Sequence, residues 1–182
     1  SGQWLEGNKL IDHFLLFIVA LISNIFSAFS GGGAGVIQLP AILLLYEMSF
    51  ITALASHKVA TVALGVGATL KYFRKIQFDS KFIVVCLILG LPGVVAGANI
   101  ISMVNDSIAR IMLGTLIIII ALYSFSSKNF GEKTTQVKQS FAREIITVVL
   151  ITLIAMLNGS LSAGTGLMFT VFLIIFYGMD YK

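Results

Sequence analysis

Long apolar segments without charged residues decide the fold class of this chain. Residues 82–104 contain no charged side chain, and neither do residues 14–29, 111–126 and 145–162. A helix needs about 20 mainly apolar residues to cross the hydrocarbon core of a bilayer. Only 11% of the chain is charged, whereas soluble domains have about 25% charged residues. The strands of a transmembrane barrel alternate apolar and polar residues, which residues 116–122 do not. The pattern therefore predicts an all-α, polytopic helical membrane protein.

The predicted organisation is one complete repeat, a linker and the start of a second repeat. Residues 1–12 form an N-terminal segment, and residues 13–127 form the first repeat. Its spans are predicted at residues 14–29, 34–46, 51–72, 82–104 and 108–126. Residues 128–142 are a polar, basic linker, and residues 143–182 begin the second repeat. Nothing after residue 177 corresponds to the last three spans of the first repeat, so we expect a longer natural chain.

Basic side chains are concentrated in two loops, which predicts the orientation in the membrane. The loop at residues 71–81 contains Lys71, Arg74, Lys75 and Lys81. The loop at residues 128–143 contains Lys128, Lys133, Lys138 and Arg143. These are eight of the twelve Lys and Arg residues, and cytoplasmic loops carry an excess of such residues. Both loops are predicted to be cytoplasmic, and the net charge of +4 indicates orientation in a bilayer rather than binding of nucleic acid.

The chain resembles itself after a shift of 131 residues. The shift places residues 33–35 (GAG) on residues 164–166 (GTG), and residues 46–48 (YEM) on residues 177–179 (YGM). Each copy is an apolar helix, a glycine-rich break and a short apolar helix, and internal repeats are typical of secondary transporters. If residues 34–46 cross the membrane, the repeats are inverted and the N-terminal segment is external. If this segment only re-enters, the repeats are parallel; we favour inverted repeats.

The two glycine-rich breaks are the first candidate binding site. The residues selected around the first break are Ser27, Ser30, Gly31, Gly32, Gly33, Gly35 and Gln38. Their counterparts at the second break are Ser162, Gly164, Thr165 and Gly166. Non-helical backbone at membrane depth is tolerated only against protein or a water-filled cavity. The free amides that begin the next helix, together with the helix dipole, favour an anion. The alternative role for these glycines is a tight turn or close helix packing.

A second candidate site is the run Ser56, His57 and Lys58 inside a predicted span. Lys58 lies seven residues after Ile51, which is about 10 Å along a helix. A lysine at that depth is costly and usually faces an interior cavity or a partner, so an anionic substrate is one candidate partner. The alternatives are a lysine that extends to the membrane surface or pairs with Glu47. His57 is a candidate proton carrier, or else a histidine that is simply hydrogen-bonded.

Motifs for catalysis, metal binding and cofactor binding are absent from the sequence. There is no HExxH, no GxSxG, no P-loop ending in Lys-Ser/Thr and no pair of aspartates within spans. The only cysteine, Cys86, lies within a span and is expected to be an inert apolar residue. We therefore expect neither an enzyme nor a cofactor or metal site.

Four short strings resemble the TauE/SafE sulfite exporter family. They are residues 30–40 (SGGGAGVIQLP), 53–58 (ALASHK), 72–75 (YFRK) and, in the second copy, 163–166 (AGTG). The resemblance implies a bacterial-type inner-membrane carrier with two related halves that moves sulfite, thiosulfate, sulfonates or similar organosulfur anions. One subgroup of that family has Thr-Asn-Lys where this chain has Ser56, His57 and Lys58. The anion role of the lysine carries over, whereas His57 puts the substrate and proton coupling in doubt.

The leading hypothesis is a secondary carrier for a small inorganic or organosulfur anion, with H⁺ or Na⁺ as the coupling ion. The anion is expected between the two breaks, bound by amides and hydroxyls, with Lys58 balancing its charge. The competing hypotheses are a non-transporting membrane protein that acts as a binding or assembly partner, and an anion channel. Amides of both breaks facing one polar cavity favour the carrier, and breaks packed dry against helices favour the non-transporting protein.

Overall fold

Seven α-helices make up the described part of the chain, residues 2–30, 33–72, 80–126 and 141–177 of a computed structural model. They are α1 (Gly2–Ser30), α2 (Ala34–Leu45), α3 (Phe50–Tyr72), α4 (Ser80–Ser102), α5 (Asp106–Ser126), α6 (Phe141–Ser160) and α7 (Thr165–Tyr177). No strand occurs in the described residues. The predicted all-helical membrane fold is therefore confirmed.

Five of these helices are long and apolar enough to cross a membrane. Their apolar windows are Ile11–Phe29, Phe50–Lys71, Ser80–Ser102, Asp106–Phe125 and Arg143–Ser160. The helices α2 and α7 have 12 and 13 residues, which corresponds to about 18–20 Å. Both helices are therefore shorter than the hydrocarbon core, which is about 30 Å thick.

Each short helix folds back along the long helix before it. In the first hairpin, α1 and α2, the Tyr46 hydroxyl lies 3.0 Å from His13 Nδ1, so the end of α2 returns to the start of the apolar window of α1. In the second hairpin, α6 and α7, Arg143 donates a hydrogen bond to the Ile175 carbonyl and covers the Phe176 ring. The two breaks therefore form the tips of the two hairpins.

The most extensive contact between helices joins α4 to α6. A Cβ atom on Gly97 would lie 2.0 Å from the Met156 carbonyl oxygen, and one on Gly159 would lie 2.1 Å from the Val94 carbonyl oxygen. A Cβ on Gly93 would lie 2.8 Å from Ala155 Cβ. Only glycine permits such an approach, so Gly93, Gly97 and Gly159 pack α4 directly against α6.

A polar clamp joins the loop before α3 to the beginning of α5. Asp106 accepts a hydrogen bond from the Phe50 amide and pairs with Arg110 at 2.7 Å. Arg110 also donates to the Met48 carbonyl at 2.7 Å. Behind this clamp lies the apolar core, which includes Leu39, Phe50, Ile101, Leu113 and Ala163. The clamp places the start of α3 and the α4–α5 turn at the same end of the bundle.

Candidate functional site

The tips of the two hairpins meet in the interior of the protein. A Cβ atom on Gly35, in the first turn of α2, would lie 3.0 Å from the Ser162 carbonyl oxygen and 3.3 Å from Ala163 Cα. Gly33 lies against a side chain instead, since a Cβ there would be 3.5 Å from Leu167 Cδ1. The structure thus packs Gly35 of the first break directly against the backbone of residues 162–163 at the second break.

Left-handed backbone allows each break to reverse the chain in few residues. Gly33 has φ +121° and Gly164 has φ +69°, a region that favours glycine. Ser162, with φ 60°, is the only other residue of the described chain with positive φ. Its amide bonds to the Leu157 carbonyl at 3.1 Å. The chain therefore leaves α6 and enters α7 within residues 161–164.

Lys58 is held by the end of α6. Its Nζ donates to the backbone carbonyl of Asn158 and, at 2.9 Å, to the side-chain oxygen Oδ1 of the same residue. The last four carbonyls of a helix have no partner within the helix, and a cation there also complements the helix dipole. Within the described residues, Asn158 therefore supplies two hydrogen-bond acceptors to the charged group that the sequence placed in the interior.

Asn158 also joins Lys58 to the beginning of α7. Its Oδ1 accepts a second hydrogen bond from the Thr165 hydroxyl at 3.1 Å. Thr165 lies 3.2 Å from the Ser162 carbonyl as well and is buried. Asn158, which sequence reasoning missed, therefore connects two predicted site residues, Lys58 and Thr165, and Thr165 in turn contacts a third, Ser162.

A cleft of about 360 Å³ lies beside this network. Its walls come from α4, α6 and α7: Cys86, Gly90, Val94, Ile151, Ile154, Ala155 and Phe169. Its polar end is formed by Asn158, Thr165 and Gly166. Among the described residues, the second break lines this cleft and the first break does not. Lys58 lies behind Asn158 rather than in the wall.

His57 and Gln38 form a buried pair on the other side of Gly35. His57 Nδ1 lies 3.0 Å from Gln38 Oε1, and the two side chains are 1% and 3% exposed. The other ring nitrogen, Nε2, faces Gly35, where an added Cβ would lie 3.0 Å from it. The pair fixes α2 to α3 beside the tip contact.

The remaining predicted residues lie apart from this network or outside the described residues. Ser56 is exposed and donates to the Thr52 carbonyl of its own helix at 2.9 Å. Ser27 is 9% exposed, in α1. Gly31, Gly32 and the side chain of Ser30 lie outside the described residues, as do most of the two predicted basic loops.

Known proteins similar to this chain are named probable membrane transporter proteins. The family model described as "Sulfite exporter TauE/SafE" matches residues 16–182. A probable membrane transporter protein, ORF9, of Sinorhizobium sp is 28% identical over 85% of this chain and 58% of its own length. A probable membrane transporter protein of Haemophilus influenzae is 28% identical over 84% of this chain and 58% of its own length. The chain thus spans less than two thirds of the length of these relatives. No solved structure matches the chain significantly.

Proposed function

The chain belongs to the sulfite exporter TauE/SafE family, and on that premise we propose that it forms part of a secondary transporter for a small sulfur-containing anion. Sulfite, thiosulfate and sulfonates are the substrate class, and H⁺ or Na⁺ is the coupling ion. The protein would work in the inner (plasma) membrane, with residues 71–81 and 128–143 in the cytoplasm.

The observation that carries this proposal is a lysine held behind the polar residues that line a cleft. Lys58 lies at the end of α6, 2.9 Å from Asn158 Oδ1, and Asn158 lines the cleft together with Thr165 and Gly166. A positive charge, hydroxyl and amide donors, and the positive end of the α7 dipole all favour an anion. We place the anion at this end of the cleft, more toward the second break than the sequence predicted.

The arrangement of the hairpins supports alternating access. The first hairpin returns to the end of the bundle where it starts, and so does the second. Three long helices, α3, α4 and α5, separate the two hairpins in the sequence. If each crosses the membrane once, the hairpins enter from opposite faces, as inverted repeats require. Rocking of the two hairpins relative to each other would then expose the anion to each side in turn.

Transport of labelled anions tests the proposal. The natural protein would be reconstituted in proteoliposomes and supplied with labelled sulfite, thiosulfate or methanesulfonate, with and without a proton or sodium gradient. We expect uptake of at least one anion, reduced at least about tenfold in Lys58→Ala, because a charged hydrogen bond contributes about 1.5–3 kcal/mol. Undiminished transport by Lys58→Ala would contradict the role of the lysine. A wild-type protein that moves none of these anions, although folded, would favour a non-transporting protein.

A further inference from the structure

We propose that Asn158 is a direct ligand of the transported anion, with its amide NH₂ group presented to the cleft by Lys58 and Thr165. This inference rests on the proposed function and names the group that touches the substrate. It differs from the expectation drawn from the sequence, in which Lys58 itself balances the charge of the anion.

The orientation of the Asn158 amide follows from the chemistry of its neighbours. A lysine ammonium has three donors and no acceptor, so the atom 2.9 Å from Lys58 Nζ is the amide oxygen. The single proton of the Thr165 hydroxyl is shared between this oxygen, at 3.1 Å, and the Ser162 carbonyl, at 3.2 Å. An amide oxygen has two lone pairs, so it can accept from Lys58 and Thr165 together.

The nitrogen of the same amide remains available for a ligand. No described residue accepts a hydrogen bond from Asn158 Nδ2, while Asn158 lines the polar end of the cleft. The NH₂ group has two donors, and an oxyanion has only acceptors to offer when fully ionised. Because Lys58 also withdraws electron density from the amide through its oxygen, the NH₂ group is polarised toward a negative ligand.

Lys58 and Thr165 are positioning residues in this arrangement. They do not need to contact the anion, because each acts by holding the oxygen of Asn158. Lys58 also bonds to the backbone carbonyl of Asn158, which fixes the residue at two points. This explains how a lysine behind the wall of the cleft contributes to binding at its surface.

The substitution Asn158→Asp distinguishes a role of Asn158 as a ligand of the anion from a purely structural role. A carboxylate has nearly the same shape and still accepts from Lys58 and Thr165, but it replaces the NH₂ donors by a negative oxygen facing the cleft. We expect uptake of labelled sulfite, thiosulfate or methanesulfonate by the natural protein to fall at least tenfold. The melting temperature in detergent should stay equal to or above that of the wild type, because the new carboxylate pairs with the lysine.

The matched control is Asn105→Asp, in the turn before α5. The side-chain oxygen of Asn105 likewise accepts a hydrogen bond, from the Ser107 amide at 2.9 Å, and a carboxylate can keep it. We expect Asn105→Asp to leave uptake unchanged. Uptake by Asn158→Asp within twofold of the wild type would overturn the inference while leaving the proposed function standing. An Asn158→Asp protein that fails to fold would overturn it as well, because the same two hydrogen bonds should persist. If the wild type moves none of the anions, both proposals fail together.

Discussion

Lys58 is a single residue whose surroundings show how this fold accommodates a charge in its interior. Its ammonium group lies at the end of α6, where the Asn158 carbonyl has no hydrogen-bond partner within the helix. Lys58 and Thr165 both donate to the side-chain oxygen of Asn158. The cation therefore stabilises the beginning of the second break as well as the wall of the cleft. The proposed anion site and the second break therefore depend on the same atoms.

Gly164 is a second residue whose substitution is informative. Its φ of +69° is in the left-handed region, and an added Cβ would also lie 2.1 Å from Ile120 Cδ1. We expect Gly164→Ala to lower the melting temperature in detergent, since left-handed backbone costs a residue with a side chain about 1–2 kcal/mol and the contact adds to it. Adding Ile120→Val removes Cδ1 and should restore part of the loss. Full recovery in the double variant would contradict the backbone contribution.

The burial of Lys58 could be predicted from the sequence, but its partner could not. A lysine seven residues into an apolar span must meet a polar group, and this follows from spacing along one helix. The partner lies 100 residues away in sequence, and only tertiary packing selects it. The available signal was an asparagine in an apolar helix just before the second break, a position that is unusual at membrane depth.

At the scale of helices, α4 and α6 behave as one packed unit. The Gly97 and Gly159 backbones each lie against a carbonyl of the other helix, so side chains do not separate the two. One helix belongs to the first predicted repeat and the other to the second. The cleft lies along this pair, which gives the proposed anion site one firm wall.

Alanine at these glycines tests the packed unit. Gly97→Ala or Gly159→Ala would place Cβ about 2 Å from a backbone oxygen, and overpacking of this kind typically costs about 1–3 kcal/mol. We expect the melting temperature in detergent to fall by about 3 °C or more. The control is Gly114→Ala in α5, where an added Cβ meets nothing within 4 Å and alanine should be neutral or stabilising. Equal melting temperatures for all three variants would show that the helices are not in close contact.

Within the described residues the molecule consists of two hairpins, separated in sequence by three long helices. The loop after α2 and the beginning of α5 face each other through Met48, Phe50, Asp106 and Arg110, so the loops at residues 46–49 and 103–105 share one end of the bundle. The helical fold could be predicted because apolar runs and glycine breaks are local features. The repeat also led us to expect that the two breaks come together, but the residues in contact depend on packing across more than 120 residues of sequence and could not be predicted. The inverted relation of the repeats stays a prediction.

Labelling of single cysteines tests the arrangement in the membrane. Cys86 is the only cysteine and would first be replaced by serine. We expect Ser49→Cys and Ser107→Cys to react with a membrane-impermeant maleimide in intact cells, and Lys133→Cys only after permeabilisation. Labelling of Ser49→Cys and Ser107→Cys from opposite faces would contradict the fold. Labelling of Lys133→Cys from outside would contradict the predicted cytoplasmic linker.

The close packing of α4 against α6 also sets an order on assembly. The first hairpin joins segments about 30 residues apart and can pair as soon as α2 has been synthesised. The glycine face of α4, in contrast, matches a helix that leaves the ribosome about 60 residues later. Gly93 and Gly97 lie on the face of α4 that packs against α6. Until α6 enters the bilayer, lipid chains must cover this face. The first half of the chain therefore holds a vacant docking face during biosynthesis, and the second half completes it.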